Sequence, residues 1–286
     1  MAEISAADVK KLRDITGAGP MECKKALQDG NGDFAKAEKL LKEKGLAAVE
    51  KRSGRATNEG KVFITVKGNE AVLVELASET DFVARNPEFI ELGGKVADRA
   101  LEKGYTEPNE ELAAMVTGLA TKIRENMGLK RLQTVKAADN EYLTSYIHGD
   151  GVIGVVVKLA ADKAEAFQKE EAKSLAFNLA LHVAAFNPMA LDQSKIDKAF
   201  LQEQEDIFRK QMEKDEKLGK MKDAKPEQFE KILQGKVKKY LSEICLLEQG
   251  YVKDEKISVE KALAETGSQI GAKLSIAGYA YFKVGG

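Results

Sequence analysis

Apolar residues recur every three or four positions in the first part of the chain, which is the spacing of the buried face of an α-helix. Three such segments occur before residue 46, and they are separated by the glycine-containing stretches Gly17-Ala-Gly19 and Gly30-Asn-Gly-Asp33. Glycine ends helices because it adopts the left-handed conformation without steric cost. The pattern therefore predicts three short helices that pack as a bundle over residues 1–55.

The ends of these predicted helices carry residues that helix ends favour. Ser5 and Asp33 stand where a short oxygen-bearing side chain can accept hydrogen bonds from the first free N–H groups. Pro20 suits the first turn of the second helix, because the N–H that proline lacks would have no partner there. Gly45 is predicted to end the third helix. The polar residues 51–60 are predicted to form a linker.

Beyond residue 60 the pattern changes to short apolar runs that are typical of β-strands. Two pairs of such runs are each joined by a polar turn, and each pair is followed by a segment with helical spacing. The same order of elements therefore occurs twice, which indicates an internal duplication at the level of pattern. The predicted strands are 61–66 with 71–76 and 142–147 with 152–159, and the predicted helices are 89–101, 108–126 and 165–185.

The composition changes again over residues 194–247, where apolar residues recur at helical spacing among dense charges. A break at 218–226 divides this segment. We predict two antiparallel helices that form a projecting coiled-coil hairpin, and the alternative is an ordinary charged helical pair packed on the body of the protein. A helix at 259–263 and a closing strand at 274–284 complete the predicted elements.

A short polar stretch lies where the first predicted hairpin ends and the next helix begins. Thr80 or Asp81 is expected to cap that helix. Phe82 and Val83 are adjacent, so on a helix they point about 100° apart, and if one enters the core the other faces outward. Burial is the default for an aromatic residue. However, the second hairpin is followed by Ala161-Asp-Lys-Ala-Glu165, which has no aromatic residue, and this favours Phe82 as a functional residue.

Composition sets further limits. The chain has 286 residues, 43% of them hydrophobic, which is enough for one large domain or two to three small ones. Charged residues make up 32% but the net charge is −1, which argues against a protein that coats nucleic acid or an anionic membrane. We expect neither a spanning helix nor a signal peptide. Cys23 and Cys245 lie far apart and are expected to be reduced thiols of a cytoplasmic protein.

The motifs of common catalytic sites are missing from the sequence. There is neither a glycine-rich phosphate loop nor a nucleophile motif, and His148 and His182 are the only histidines. We therefore expect no active site, no metal site and no cofactor. His182 lies in an apolar helical segment and is interpreted as a packed residue. His148 lies at the second hairpin turn, where a turn residue and a partner contact are both open from the residues alone.

Two longer motifs resemble a known family. Glu75-Leu-Ala-Ser-Glu-Thr-Asp-Phe-Val-Ala-Arg85 is similar to the central signature of bacterial elongation factor Ts. Leu12-Arg-Asp-Ile-Thr-Gly-Ala-Gly-Pro-Met-Glu-Cys-Lys-Lys-Ala-Leu27 is similar to the N-terminal signature of that family. The resemblance covers nearly the whole chain and is weakest from Asp192 onward. It implies a guanine nucleotide exchange factor, not an enzyme, which binds elongation factor Tu in its GDP-bound and nucleotide-free states.

The resemblance also implies which residues act. Phe82 would displace a helix of elongation factor Tu and so disturb its Mg²⁺ site, with GDP release as the result. It implies no direct contact with nucleic acid or membrane, and it favours His148 as a partner contact. The implied site residues are Thr80, Asp81, Phe82 and Val83 for displacement of Mg²⁺, with Arg13, Met21, Lys24 and His148 as further partner-binding residues.

Pattern and resemblance together predict an α+β protein. A ubiquitin-associated-like three-helix bundle at 1–55 precedes a duplicated hairpin-plus-helix core. The core is predicted to divide into an N-subdomain at 56–140 and a C-subdomain at 141–286, which includes the coiled-coil hairpin at about 194–247. The chain departs from the family in two respects. Well-known members have a further C-terminal helix after the last strand, and their central Gly-Glu-Asn-Ile element reads here as Arg124-Glu-Asn-Met127.

Two other functions are compatible with the same pattern. A scaffolding protein could use the bundle and the coiled coil as adaptors. An RNA- or ribosome-binding factor could use short basic clusters, although their shortness and the net charge near zero argue against it. These clusters are Lys51, Arg52 and Arg55, and Lys236, Lys238 and Lys239.

Overall fold

The computed structural model describes residues 4–217 and 226–286. The chain divides into two compact units. The first comprises the residues up to Lys136 together with 147–154 and 282–286, and the second comprises 137–146 and 155–281. The mixed α+β class that the sequence predicts is confirmed. The finer division into three domains, with boundaries near residues 55 and 140, stays a prediction.

The first unit begins with three helices, as predicted. They are α1 (Ala6–Thr16), α2 (Pro20–Asp29) and α3 (Phe34–Arg52). Ser5 caps α1 by accepting a hydrogen bond from the N–H of Asp8, and Gly17 ends α1 in the left-handed conformation. The buried residues shared by the three helices are Leu12, Cys23, Ala26, Leu27, Ala37 and Leu41.

A three-stranded sheet and three more helices complete the first unit. Strand β1 (Glu59–Lys67) pairs antiparallel with β2 (Glu70–Ser78), which confirms the first predicted hairpin. The chain continues through α4 (Asp81–Ala84), α5 (Pro87–Lys103), α6 (Glu110–Ile123) and β3 (Met127–Lys136). Helix α5 packs on β1 and β2, and α6 packs on α5 and β3. The core residues include Val72, Val74, Leu76, Phe89, Val96, Leu112, Val116 and Leu132.

Strand β3 was not predicted from the sequence. This strand pairs antiparallel with β2 in the order β1-β2-β3, and Leu132 lies opposite Val74 in the core. A shift of register between Glu75 and Leu76 interrupts the pairing. Such an irregularity breaks the alternation of apolar and polar residues by which a half-buried strand is recognised. Arg131 on β3 donates a hydrogen bond to the buried carboxylate of Glu75 at 2.5 Å.

Helix α3 does not end at Gly45, contrary to the prediction, and continues to Arg52. A Cβ atom at Gly45 would lie 2.2 Å from Cγ2 of Thr121 on α6, so any larger residue would push the two helices apart. Gly45 therefore serves the close approach of α3 and α6 rather than the end of a helix. Gly45 was correctly predicted to occupy a position that favours glycine, but its predicted role as the end of a helix was wrong.

The predicted linker at 51–60 is fastened to the rest of the first unit. The side-chain amide of Asn126 donates hydrogen bonds to the carbonyl oxygens of Ser53 at 3.2 Å and Arg55 at 2.7 Å. The guanidinium of Arg55 lies 3.3 Å from the carboxylate of Glu79. The three helices and the sheet of the first unit are thus joined by specific contacts.

The second unit repeats this order of elements with an insertion. The second predicted hairpin is present as β4 (Glu141–His148) and β5 (Ile153–Ala161), and β8 (Leu274–Lys283) adds to it in the order β4-β5-β8. A 3₁₀ turn at Ala164–Gln168 leads from β5 into α7 (Glu170–Phe186). The ends of these three strands at 147–148, 153–154 and 282–283 belong to the first unit.

The insertion between α7 and β8 contains α8 (Lys198–Lys217), α9 (Pro226–Ile244), β6 (Gly250–Tyr251), β7 (Asp254–Ser258) and α10 (Val259–Ile270). Helix α10 was predicted too short, and the β6–β7 pair was not predicted. Ser258 caps α10 and Gly271 ends it.

Helices α8 and α9 pack against each other, so the predicted helical pair is confirmed. The rings of Phe208 and Tyr240 meet edge to face with centroids 5.7 Å apart, and Met212 and Leu233 are fully buried. The predicted break at 218–226 falls almost wholly on residues outside the described ones. Coiled-coil geometry stays a prediction. Across residues 4–217 and 226–286, no helix combines the length and the apolar character that a membrane span requires.

Candidate functional site

The polar stretch between β2 and α5 forms two successive helix starts. Thr80 caps the single turn of α4, and its hydroxyl oxygen accepts the N–H of Val83 at 3.4 Å. Asn86 then caps α5 by accepting the N–H of Glu88 at 2.8 Å. The prediction that Thr80 or Asp81 caps a helix is confirmed for Thr80. We call residues 79–86 the junction.

Phe82 and Val83 point in different directions, as their adjacency predicts. Phe82 leaves 81% of its surface in solvent, whereas Val83 is buried in the core of the first unit. Phe82 is the most exposed of the large hydrophobic residues in the described parts of the chain. Helix α4 is short but capped, so this exposed ring stands on a defined backbone.

Asp81 and Arg85 flank Phe82 on the same turn. Their carboxylate and guanidinium groups lie 3.2 Å apart, and the side chain of Arg85 is exposed whereas that of Asp81 is about half buried. Exposed ion pairs of this kind contribute about 0–1 kcal/mol, because water and salt screen them. The carboxylate of Asp81 can therefore exchange Arg85 for a partner's cation or N–H donor at little cost.

The turn that carries His148 is fastened to β1. Lys61 of β1 has a buried side chain, and its ammonium group lies 2.6 Å from the carboxylate of Asp150. The N–H of Val62 donates to the carbonyl of Gly151 at 2.8 Å. The hydrogen bond from Lys61 and its charge hold the pKa of the exposed Asp150 carboxyl below its usual value, and the charge of Arg85 contributes in the same direction.

This arrangement brings two of the predicted regions together. His148 lies exposed at the end of β4, in the part of the strand that belongs to the first unit. Helix α4 packs on β1 and β2. Because β1 holds both α4 and the turn after His148, Phe82 and His148 lie in the same unit and on neighbouring elements.

The remaining predicted contact residues lie on the helical bundle instead. Arg13 on α1 and Lys24 on α2 are exposed, and Met21 leaves 76% of its surface in solvent. Ile15, which is close to Arg13 in the sequence, is also exposed. It was not among the predicted contact residues. These exposed residues thus lie on α1 and α2 and not on the junction.

The junction is supported by the segment after α6, which was not predicted to be part of the site. Glu125, after the end of α6, accepts hydrogen bonds from the hydroxyl and the N–H of Thr80. Its neighbour Asn126 donates its backbone N–H to Glu79 at 2.6 Å. Because 45 residues separate Thr80 from Glu125, no local pattern in the sequence could indicate this contact.

The second unit shows what the fold requires at the corresponding place. Its 3₁₀ turn begins after Lys163, as α4 begins after Thr80. Counted from these positions, Ala166 corresponds to Val83, and both are buried. Glu165 corresponds to Phe82 and is exposed. The scaffold therefore forms this junction without an aromatic residue at the outward position.

His182 is a packed residue, as predicted. It is fully buried on α7, and its Nδ1 accepts the N–H of Val252 at 3.2 Å. Nε2 therefore carries the proton and donates to Oε1 of Gln249 at 2.9 Å. Burial lowers the pKa of His182 below its usual value. In the described part of the chain, no three His, Cys, Asp or Glu residues cluster as a metal site would require.

Comparison with known proteins gives a consistent result. A family model described as elongation factor TS matches residues 79–286. Elongation factor Ts of Treponema denticola is 48% identical over 283 residues, which covers 99% of each chain. Elongation factor Ts of Borrelia recurrentis is 42% identical over 284 residues, again 99% of each. That of Clostridium acetobutylicum is 38% identical over 296 residues, 99% of this chain and 92% of the relative.

Proposed function

Because the chain belongs to the elongation factor Ts family, we propose that it is a guanine nucleotide exchange factor for elongation factor Tu. In this proposal it binds the GDP-bound form in the cytoplasm, promotes release of GDP and leaves the partner ready to bind GTP. It carries out no covalent chemistry, so it acts only through binding energy. The proposal is thus that of a translation factor and not of an enzyme.

The observation that carries this proposal is the exposed ring of Phe82. A phenylalanine that is 81% exposed gains little for the fold, and a large apolar side chain in water favours binding to another surface. The corresponding residue of the second unit is Glu165, so the scaffold does not account for the ring. Aromatic residues that fill a partner's pocket are typical hot spots of protein interfaces.

The mechanism follows from the requirements of Mg²⁺. This ion demands nearly ideal octahedral geometry and is held jointly by the GTPase and the nucleotide phosphates. Phe82 would insert between side chains of the nucleotide-binding domain and displace the adjoining helix. Asp81 would hold that helix by charge or hydrogen bonds. Once the Mg²⁺ ligands are displaced, the phosphates lose their neutralising charge and GDP dissociates faster.

Energetic coupling makes further contacts necessary. If the factor weakens nucleotide binding, the nucleotide weakens binding of the factor by the same ratio. Contacts outside the junction must therefore keep the complex together while Phe82 distorts the partner. We assign this role to His148 and to the exposed bundle residues Arg13, Met21 and Lys24.

The finer description of the fold belongs to the same proposal. We propose that the three N-terminal helices form a ubiquitin-associated-like module and that α8 and α9 form a coiled coil. In the three-domain division, residues 1–55 form the module, and 56–140 and 141–286 form the two core subdomains. Direct contact with nucleic acid has no part in this proposal.

Release of a fluorescent GDP analogue from elongation factor Tu tests the function. We expect the release rate to rise with the concentration of the chain and to reach a plateau. A scaffolding or RNA-binding protein would leave the rate unchanged. A rate that stays constant at concentrations where a complex is seen by size-exclusion chromatography would refute the exchange function while retaining the partner.

A further inference from the structure

The segment that follows α6 makes three consecutive contacts to different parts of the first unit. Arg124, which ends α6 with φ at 69°, pairs with Glu22 of α2. Glu125 contacts Thr80, and Asn126 contacts Glu79. Asn126 also holds two carbonyl groups of the stretch after α3. Glu125 is therefore not a mobile surface side chain, because fixed residues flank it on both sides.

Glu125 determines how Thr80 caps α4. Its carboxylate oxygens accept the hydroxyl proton of Thr80 at 2.9 and 3.1 Å and the N–H of Thr80 at 3.2 Å. A hydroxyl group has one proton and two lone pairs. With the proton directed to Glu125, a lone pair of Thr80 faces the N–H of Val83, which it accepts at 3.4 Å. A charged acceptor makes the first of these bonds strong.

The residue before Thr80 is held in the same way. The carboxylate of Glu79 accepts the backbone N–H of Asn126 at 2.6 Å and faces the guanidinium of Arg55. These contacts fix both residues that precede α4. A helix of a single turn is not stable by itself, so its direction depends on such contacts and on the burial of Val83.

The fold does not need the side-chain cap at this turn. In the second unit the residue that corresponds to Thr80 is Lys163. Its side chain does not cap the 3₁₀ turn, and β5 still leads into α7 through that turn. The side-chain cap is present where the outward residue is Phe82 and absent where it is Glu165. Other contacts hold the second turn, because the carboxylate of Asp162, which corresponds to Glu79, accepts the N–H of Lys273 at 2.8 Å and Lys163 donates to the carbonyl of Gly271 at 3.4 Å. The side-chain cap is thus the feature that coincides with the exposed ring.

We propose that Glu125 is a positioning residue that acts through Thr80 to fix the direction in which Phe82 leaves α4. This inference rests on the proposed function, in which Phe82 enters elongation factor Tu. A ring held in one direction binds better than a ring that must be ordered during binding, because the ordering cost is already met in the free protein. Glu125 itself needs no contact with the partner.

A double-mutant cycle tests this role at saturating factor. We expect Glu125→Ala to lower the rate of GDP release by roughly fivefold, the rate equivalent of losing one helix cap. In a Phe82→Ala background the same substitution should cause no further loss, since no ring remains to be positioned. Glu91→Ala is the matched control. It removes an exposed glutamate of α5 that pairs with Lys95, and it should leave the release rate unchanged.

A second measurement uses the chain alone and does not depend on the proposed function. The N–H groups of Ala84 and Arg85 bond to Thr80 and Asp81 within α4. Glu125→Ala should increase their hydrogen exchange several-fold while exchange in the middle of α5 stays the same. Thr80→Val, which removes the hydroxyl but keeps the shape, should reproduce this effect, and Thr80→Ser should not.

The outcomes separate the two proposals. Normal GDP release by Phe82→Ala would reject the proposed role of Phe82 in elongation factor Tu, and the hydrogen-exchange data would still decide whether Glu125 orders α4. Unchanged hydrogen exchange of the N–H groups of Ala84 and Arg85 in both Glu125→Ala and Thr80→Val would overturn the positioning role of Glu125. Losses that add in the double mutant would also overturn it, because Glu125 would then act independently of Phe82. If Glu125→Ala does not fold, Thr80→Val supplies both measurements.

Discussion

Replacing Phe82 with alanine should separate folding from function. The free chain buries only about one fifth of this side chain. A fully enclosed aromatic residue buries about 200 Å², so the substitution removes about 40 Å² of burial, worth about 1 kcal/mol at ~25 cal/mol per Å². A loss of that size lowers the melting temperature by about 2–4 °C in a protein of this length. The folded state should therefore persist.

The expected effect on nucleotide release is much larger. The exposed four fifths of the ring amount to about 160 Å², which gives an upper limit of about 4 kcal/mol if the partner encloses it fully. Interface hot spots typically lose about 2 kcal/mol or more on truncation to alanine. If this energy is used only in the distorted, nucleotide-free complex, 2 kcal/mol corresponds to a release rate roughly thirtyfold slower.

The assay compares the melting temperature with the rate of GDP release from elongation factor Tu at saturating factor. Phe89→Ala is the matched control, because Phe89 is fully buried on α5. Truncating a core phenylalanine costs about 3–5 kcal/mol of stability, and the surviving folded fraction of that variant should release GDP at a nearly normal rate. If Phe82→Ala behaved like this control, with a large fall in melting temperature and normal release, its assignment as a partner contact would be refuted.

Four further predictions concern stability and reactivity. Gly93→Ala should destabilise the protein by about 1–3 kcal/mol in urea unfolding, since its Cβ would lie 2.1 Å from the ring of Phe63. The neighbouring Gly94→Ala has open space and should stabilise it by up to about 1 kcal/mol. Because burial lowers the pKa of His182 in the folded state, the unfolded chain takes up a proton first as the pH falls through about 6.5. Stability should therefore decrease below that pH, by at most ~1.4 kcal/mol per pH unit, and equal stability at pH 7 and 5.5 would contradict this. Burial raises the pKa of Cys245 to about 11, so its thiol should react with a thiol reagent at pH 8 only after unfolding.

Elements with local signals could be predicted from the sequence. Caps, Pro20 or glycines mark the starts of the three N-terminal helices and the ends of α1 and α2, and both hairpins are pairs of apolar runs joined by a polar turn. In each case the information lies within a segment of about ten residues. The pairing of α8 with α9 follows from the same short-range helical spacing.

Elements that depend on distant partners were missed or misread. Strand β3 owes its place to pairing with β2, and its own alternation of apolar and polar residues is interrupted by a register shift. Gly45 was interpreted as a helix end because a glycine near the end of a periodic segment usually marks one. Its actual role depends on Thr121, 76 residues later in the sequence, and no local pattern contains that information.

The candidate site also combines features with a local sequence signal and features that depend on distant residues. The outward direction of Phe82 could be predicted, because adjacency to Val83 and comparison with the second hairpin are properties of the sequence. The role of Glu125 could not, because it depends on a hydrogen bond to Thr80 that only the folded chain forms. The motif thus indicates which residue is the candidate for the partner contact, and the structure adds what holds that residue in place.

The internal duplication separates the demands of folding from those of function. Val83 and Ala166 occupy corresponding positions and are both buried, so the turn after each hairpin requires a small or medium apolar residue there. The preceding position does not require an apolar residue, because the first unit has Phe82 there and the second unit has Glu165. An exposed phenylalanine offers the fold about 1 kcal/mol of burial and a risk of association with other surfaces. A polar residue avoids that risk, as Glu165 does, and the proposed contact with a partner would account for the presence of Phe82.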